Sequence, residues 1–303
     1  MKVALLAGGL GGSRFARALT ETLEPREVTV VGNVGDDLEV AGLHVSPDLD
    51  TILYTLAGVL DEEKGWGRAD ETWVVRATAE ELGAETWFQL GDRDLGLHLT
   101  RTEALRRGEP LSAVTAKLAR GFGVEATLLP ATDDRVRTWV TTPAGDFSFQ
   151  EWFVQRGHRD EVDAVRFEGA EEAGPAPGVL AAIGKAELIA IAPSNPFVSI
   201  GPILAVAEIR AALERRRVPA VAVSPLIGGR TVRGPADRML ARLAGGTGPA
   251  QVTDCYRGLI DALVVDEADA HEDAGIQTIV TRTLMSDADA RRRLAEAVLA
   301  VPV

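Results

Sequence analysis

The chain has 303 residues, of which 46% are hydrophobic and 25% are charged, and its formal net charge is −13. This globular composition suits one large domain with an insert or two domains, and its acidity argues against a nucleic-acid partner and against anionic membranes. No apolar run reaches the roughly 18 residues of a membrane span. The single cysteine, Cys255, excludes an internal disulfide and thiol redox chemistry.

The N-terminal residues have a βαβ pattern. A strand, "KVALLA", is followed by the glycine turn "GGLGGSR", a helical pattern from Phe15 to about Leu23, and a second strand, "EVTVVGN". Short apolar runs of this kind predict buried parallel strands joined by a crossover. The apolar stretch before the glycines is too short for a signal peptide, so we expect a cytoplasmic protein.

The glycine turn follows a strand and opens a helix, which is where backbone N–H groups and the helix dipole bind phosphate. Its candidate anion-binding residues are Gly9, Gly11, Gly12 and Arg14. The turn does not fit a nicotinamide fingerprint, because Arg14 stands where the third glycine belongs. The second strand also ends in Gly32 and Asn33 rather than in the acid that holds a ribose, so we do not expect hydride transfer.

The stretch "SPDLDTILYTL" has two carboxylates, Asp48 and Asp50, in the first turn of a predicted helix. Ser46 is a suitable N-cap and Pro47 a suitable first helical residue, and acids there favour the helix dipole. The residues alone therefore leave two interpretations open: helix caps or metal ligands.

The middle of the chain, from about residue 61 to residue 178, has weaker strand patterns and more Trp, Arg and Gly. It contains helical patterns in "ETWVVRATAEEL" and "LSAVTAKLARGF", a hairpin pattern in "RVRTWVTTPAGDFSFQEWFV", and a stretch typical of a surface linker, "EGAEEAGPAPG". The charged stretch "LGDRDLGLHLTRT", with Arg93, is typical of a turn and a surface helix. None of the four histidines has a metal-ligand spacing.

The C-terminal part returns to alternating strands and helices. The strand patterns are "AELIAIA", "PAVAVS", "ALVVD" and "IQTIVT", and the helical ones are "IGPILAVAEIRAALERRR", "GPADRMLARLA" and "DADARRRLAEAVLA". We predict one α/β domain over residues 1–303, with a Rossmann-like, mostly parallel sheet and helices on both faces. Its core is 1–60 and 179–303, and a mixed, mainly helical insert covers about 61–178.

Polar residues follow several of the predicted strands at their carboxyl ends, the ligand edge of an open α/β sheet. They are Asn33, Asp36 and Asp37 in "NVGDD", Ser194 and Asn195 in "APSNP" with Ser199 near the next helix N-cap, and Gly229, Arg230 and Arg233 in "SPLIGGRTVRGPAD". Each loop alone is also consistent with ordinary turn chemistry. Convergence of these loops on one edge would predict an anion site.

Taken together, the motifs resemble the 2-phospho-L-lactate transferase family, the CofD-like enzymes of deazaflavin coenzyme F-420 synthesis. The blocks occur in family order: "GGLGGSR", "NVGDD", "SPDLDTILYTL", "GWG", "LGDRDL", "LLPATDD", "APSNPFVSIGPIL", "PLIGGRTVRGPADRML" and "VVD". The resemblance implies a homodimer and a Mg²⁺-assisted reaction. A phosphate bearing a three-carbon acid moves from its guanosine diphosphate ester to the riboflavin-like precursor Fo, and GMP is released.

The resemblance also implies roles for residues. Asp48 or Asp50 would hold Mg²⁺ beside the phosphate loops, Asp50 could instead bind or deprotonate the Fo hydroxyl, and Arg93 would orient the deazaflavin. The alternative is the related gluconeogenesis-factor group, which has a similar core and binds a nucleotide sugar as a regulator. The sequence leaves the donor's acid open between lactate, enolpyruvate and glycerate. The Ala, Arg and Gly richness indicates a GC-rich bacterial source, which weakly favours enolpyruvate.

Overall fold

A computed structural model describes residues 1–301 of the chain. The strands within this range are β1 (Val3–Ala7), β2 (Val28–Gly32), β3 (Leu38–Val40), β4 (Leu43–Val45), β5 (Thr127–Pro130), β6 (Arg137–Thr142), β7 (Gly145–Ser148), β8 (Ala164–Glu168), β9 (Leu188–Ile191), β10 (Ala220–Val223), β11 (Leu226–Ile227), β12 (Arg230–Thr231), β13 (Ala262–Asp266) and β14 (Gln277–Thr281). The α-helices are α1 (Gly9–Thr22), α2 (Pro47–Leu56), α3 (Val74–Glu81), α4 (Asp92–Arg106), α5 (Leu111–Gly121), α6 (Val179–Lys185), α7 (Gly201–Ala205), α8 (Ala207–Glu214), α9 (Ala236–Leu243), α10 (Pro249–Cys255) and α11 (Ala288–Leu299).

The central sheet has seven strands in the order β14-β13-β10-β9-β1-β2-β5, and every neighbouring pair is parallel. Strands β1, β9, β10 and β13 are buried along their whole length. Burial on both faces explains why they read as continuous apolar runs rather than as alternating patterns. The predicted α/β class with a parallel sheet is confirmed.

Helices cover both faces of this sheet, as predicted. Val3 and Leu5 of β1 belong to a core cluster that includes buried residues of α1, α2 and α11. Ala4 and Leu6, the alternate residues, belong to a second cluster with residues of α6, α8, α9 and α10. Because side chains alternate along a strand, one buried strand contributes to both layers.

The order of strand addition reverses at β1, which lies between β9 and β2. The loops that leave the carboxyl ends of β1 and β9 therefore run to opposite faces of the sheet. A crevice opens between such loops, and this is where open α/β sheets bind their ligands. The glycine turn follows β1, and the loop with Ser194 and Asn195 follows β9.

The segment predicted as an insert is not wholly outside the core. Strand β5 lies within it, yet β5 pairs with β2 and forms one edge of the central sheet. The run "TLLP" is too short to stand out as a core strand. The predicted surface linker also contributes three buried alanines, Ala170, Ala173 and Ala176. The remainder consists of α3 to α5 and a small antiparallel sheet in which β6, the first strand of the predicted hairpin, pairs with β7 and β8.

Two helices differ from their predicted bounds. Helix α1 begins at Gly9 rather than Phe15, because the glycines form its first turn although they lack an apolar pattern. The predicted helix "IGPILAVAEIRAALERRR" is broken, since Val206 has extended backbone (φ −72°, ψ 105°) between α7 and α8. Within residues 1–301 no single helix is long and apolar enough to cross a membrane. One bent pair, Pro196–Ala205 with Ala207–Glu214, passes that test of length and composition, with a 92° bend between its halves.

The close approach of the two crevice loops can be tested at Gly11. A Cβ at this position would overlap the carbonyl oxygen of Pro193, so we expect Gly11→Ala to lower the free energy of unfolding by about 1–3 kcal/mol. Gly184 in α6 has no atom within 4 Å of the corresponding position. Gly184→Ala should be neutral or stabilising by up to about 1 kcal/mol. Urea denaturation measures the free energy of unfolding of both variants. Equal changes in the two would contradict the close contact between Gly11 and Pro193.

Candidate active site

A cavity of about 720 Å³ lies at the crevice, at the carboxyl edge of the sheet. Its volume is in the range of small-molecule sites. The glycine turn, the N-terminal turn of α2 and the loops after β9, β10 and β12 contribute to its lining, as do parts of the middle segment. The loops that the sequence placed at one edge therefore do converge.

The N-terminus of α1 opens into this cavity. Gly8 is its N-cap residue and has no side chain that could bond the first N–H groups, and the first turn has no acid, although the Gly9 N–H bonds the Asp48 carboxylate of α2. The turn is fixed from the other side of the crevice, because the Ser194 hydroxyl donates to the Gly8 carbonyl oxygen at 2.7 Å. Free N–H groups on a helix of this length are suited to bind a phosphate.

The Asn33 side chain links three segments below the cavity. It is fully buried, and its Nδ2 donates to Asp48 Oδ2 at 2.9 Å and to the Val198 carbonyl oxygen at 3.2 Å. Its Oδ1 accepts from the Gly35 N–H at 2.7 Å. One amide thus holds the end of β2, the start of α2 and the turn after β9 in register.

Asp36 and Asp48 form a buried carboxylate pair that lines the cavity. Burial raises the pKa of Asp36 well above its ordinary value, and the charge of Asp48 raises it further. Burial also raises the pKa of Asp48 to about 6, although Asn33 and the Gly9 N–H oppose this shift. The Asp36 Oδ1 atom is buried without a hydrogen-bond partner. Two crowded carboxylates with a free oxygen are suited to a divalent cation.

Asp50 is held differently from Asp48. The Arg101 guanidinium of α4 donates to both of its oxygens, from Nη1 to Oδ2 at 3.0 Å and from Nη2 to Oδ1. Both residues are buried. That Asp48 or Asp50 holds Mg²⁺ stays a prediction, but both Asp50 oxygens already have a cationic partner. The partner of Asp48 is Asp36.

A second polar group lies next to this ion pair. The Tyr54 hydroxyl donates to Asp94 Oδ1 at 2.5 Å, and burial raises the pKa of Asp94 to about 6. Burial lowers the pKa of His98 to about 4, so this imidazole is neutral at physiological pH. All three side chains line the cavity.

The wall formed by the middle segment is aromatic. It contains Trp66, Phe88, Phe149, Phe153 and His158, and the Phe149 and Phe153 rings stack with their centroids 5.2 Å apart. Such a wall is suited to bind a planar, apolar ring system beside the polar phosphate end.

Most of the predicted site residues meet at the cavity. Those that line it are Gly9, Gly11, Arg14, Asp36, Asp48, Asp50, Ser194, Asn195, Ser199 and Arg233. Gly12 and Asn33 lie behind this lining, where Gly12 allows close contact with Ser194 and Asn33 orients Asp48. Arg14 also has a protein partner, since its Nη2 donates to Glu62 at 3.2 Å.

Other predicted residues lie elsewhere. Asp37 lines a second cavity, of about 440 Å³, and accepts from the Ser46 hydroxyl at 2.9 Å. Arg93 is exposed outside the main cavity, and its contact with a ring system stays a prediction. Arg230 is also outside, and the Gly229 N–H donates to Asp269 rather than being free for a phosphate.

Ser46 occupies the N-cap position of α2, as predicted, but its hydroxyl donates to Asp37 and makes no capping bond. Ser199 lies next to Ile200, the N-cap residue of α7, as predicted. The turn before α7 is capped by Asn195, whose side chain accepts from the N–H groups of Phe197 and Val198.

Sequence reasoning missed the polar face of α4, which was interpreted as a surface helix. Asp94, His98 and Arg101 are all buried. Their spacing of i, i+4 and i+7 places them on one helix face and was the available signal. Tyr54 was also missed. It follows Asp50 by one helical turn, and this spacing was again the available signal.

Comparisons with known proteins agree over the whole length. The family model described as 2-phospho-L-lactate transferase CofD matches residues 3–301. A Streptomyces griseus protein named phosphoenolpyruvate transferase is 45% identical over 99% of this chain and 98% of its own length. Proteins of that name from Streptomyces coelicolor and Mycobacterium tuberculosis are 44% and 40% identical, over 99% and 98% of this chain and 97% of their own lengths.

Solved structures show the same fold at lower identity. A member of the UPF0052 family from Bacillus halodurans superposes with a TM-score of 0.67 at 18% identity, covering 99% of this chain and 100% of that one. At this identity the likeness concerns the arrangement of the elements alone.

The buried Asp94 carboxyl should make stability depend on pH. Because its pKa is raised from about 4 to about 6, the folded state binds more protons between these values and loses stability as the pH rises. Asp94→Asn removes this loss. We compare the free energy of unfolding of the variant with that of wild type at each pH. From pH 4.5 to pH 7.5 this difference should shift in favour of the variant by about 2–3 kcal/mol.

The matched control is Asp92→Asn on the same helix. The Thr72 hydroxyl lowers the pKa of Asp92 from its ordinary value of 3.8, so Asp92 is mostly ionised in the folded and unfolded states at both pH values. The Asn variant should therefore lose nearly the same stability at pH 7.5 and at pH 4.5. Urea denaturation at both pH values measures the two variants. The same pH dependence for both would contradict the assigned burial of Asp94.

Proposed function

The chain belongs to the 2-phospho-L-lactate transferase CofD family, and on this basis we propose that it acts in coenzyme F-420 biosynthesis. It moves a phospho-three-carbon-acid group from its guanosine diphosphate ester to the deazaflavin Fo and releases GMP. The acceptor hydroxyl oxygen forms a bond to the phosphorus that carries the acid, and the bond from that phosphorus to the oxygen bridging to GMP breaks. The single observation that best supports this proposal is the Asp36–Asp48 pair beside the uncapped N-terminus of α1.

The donor's acid is best supported as enolpyruvate. Eight relatives between 40% and 45% identical carry the name phosphoenolpyruvate transferase. The sequence left lactate, enolpyruvate and glycerate open, and its composition favoured the same choice. We therefore propose the enolpyruvyl ester as the preferred donor.

Mg²⁺ is the proposed cofactor, and Asp36 and Asp48 are the residues suited to hold it. Among residues 1–301 no group of three or more acidic, histidine or cysteine side chains could bind a metal. Two carboxylates are nevertheless enough, since Mg²⁺ takes one or two together with water and substrate phosphates. When bound, it would supply charge neutralisation at the phosphoryl oxygens.

The remaining roles follow from placement. N–H groups at the start of α1 bind the diphosphate, and the Ser194 loop fixes them from across the crevice. The aromatic wall receives the deazaflavin ring and brings its ribityl hydroxyl towards the carboxylates. Catalysis of this kind depends mainly on positioning and electrostatic stabilisation. A homodimer and a cytoplasmic location remain predictions.

The reaction itself is the first test. Wild-type protein incubated with Fo, Mg²⁺ and each of the three guanosine-diphosphoryl acids should yield GMP and coupled product, fastest with the enolpyruvyl ester. Mass spectrometry of the products measures this. Absence of coupled product with all three donors would reject the transferase and favour a nucleotide-sugar-binding regulator, for which calorimetry with a nucleotide sugar is the direct assay.

The carboxylate pair is the second test. We expect Asp36→Asn and Asp48→Asn each to lower kcat by about two to three orders of magnitude and to raise the Mg²⁺ concentration needed for half-maximal rate. Asp133→Asn is the matched control, because this acid lines the other cavity and its charge does not act on the pKa of Asp36 or Asp48. Its Mg²⁺ requirement should stay close to that of wild type. A kcat within threefold of wild type for both test variants would remove the pair from the site.

A further inference from the structure

Arg101 is an almost fully buried arginine that faces one acid. It is 1% exposed, lies on α4, and forms a two-point ion pair with Asp50 on α2. Burial by itself would lower the pKa of its guanidinium, but Asp50 more than compensates, and the pKa is raised. A buried ion pair is expensive to form and is often no more stabilising than apolar residues of the same size. Its presence at the cavity therefore suggests a role besides stability.

The other groups near Asp50 do not balance its charge. His98 Nδ1 lies 3.8 Å from Asp50 Oδ2, but its lowered pKa of about 4 leaves it neutral. The Tyr54 hydroxyl donates its hydrogen bond to Asp94. Arg101 is therefore the cation that compensates Asp50.

Helix geometry separates Asp50 from the carboxylate pair. Residues two apart on an α-helix point in directions about 200° apart, so Asp48 and Asp50 face different sides of α2. Asp48 turns to Asn33, whereas Asp50 turns to Arg101. Each carboxylate oxygen has two lone pairs, so the bidentate pair still leaves Asp50 able to accept a further hydrogen bond from the cavity that it lines.

We propose that Arg101 is a positioning residue that acts through Asp50. It holds the Asp50 carboxylate in one orientation, in which that carboxylate accepts a hydrogen bond from the attacking hydroxyl of the acceptor and stays outside the metal's coordination. This inference rests on the proposed transfer to Fo. It gives the middle segment, through α4, a direct part in orienting the acceptor.

A double-mutant cycle tests the proposal. The variants are Asp50→Asn, Arg101→Met and the double variant, assayed for kcat with the donor that is fastest for wild type. We expect each single variant to lose about two to three orders of magnitude. If Arg101 acts through Asp50, the double variant should lose no more than Asp50→Asn alone, because the two changes remove one function.

Folding must be separated from positioning. Arg101→Met leaves an unpaired buried carboxylate and can unfold the chain, whereas the double variant removes both charges. Arg101→Lys keeps the charge but not the two-point geometry, and it should lose only about tenfold in kcat. Arg216→Met is the matched control, since this arginine pairs with Asp261 far along the chain and does not line the cavity. It should leave kcat unchanged.

Calorimetry completes the test by giving the fraction of sites that bind donor. If the double variant's fold-loss in kcat equals the product of the two single-variant losses, the proposal is overturned, because Arg101 would then act independently of Asp50. Losses that vanish when rates are divided by the donor-binding fraction would also overturn it and leave Arg101 a structural residue. If wild type forms no coupled product, the proposed function fails instead, which is a separate outcome.

Discussion

The Asn33 side chain is the interaction on which the rest of the site depends. Its buried amide donates to Asp48 and to the Val198 carbonyl oxygen, which are far apart in sequence, and accepts from the nearby Gly35 N–H. Because these groups have no access to water, loss of one partner would leave the others unsatisfied. The end of β2, the start of α2 and the turn after β9 are therefore held as one unit. The cavity floor is rigid for the same reason.

Close packing of small residues extends this constraint to the phosphate end. A Cβ at Gly8 would lie 2.5 Å from Asp48 Oδ2 and 2.9 Å from the Cβ of Ser199. The backbone of the glycine turn can thus approach the carboxylates that any bound cation would use. If the turn binds a phosphate, as proposed, the nearby carboxylates would repel it, and a divalent cation between them would compensate both negative groups.

In the proposed reaction, the middle segment supplies the binding site for the second ligand, the acceptor. Strand β5 anchors it to the central sheet, and α4 presents Asp94 and His98 to the cavity and pairs Arg101 with Asp50. The aromatic wall comes from the same segment. The fold likeness at 18% identity covers 99% of this chain, so the arrangement of elements does not define the proposed acceptor site, whereas the side chains of this segment do.

The sequence by itself determined the parallel sheet, the glycine turn and the convergence of loops, because local apolar runs and strand direction encode them. Tertiary structure decided which acids act together. The sequence left open which of Asp48 and Asp50 would hold a cation, whereas the structure places Asp48 near Asp36 and pairs Asp50 with Arg101, from a distant helix. It also decided that Ser46 bonds Asp37 rather than capping α2, and that Arg93 lies outside the cavity. A polar side chain's partner depends on packing between segments far apart in sequence, which no local pattern records.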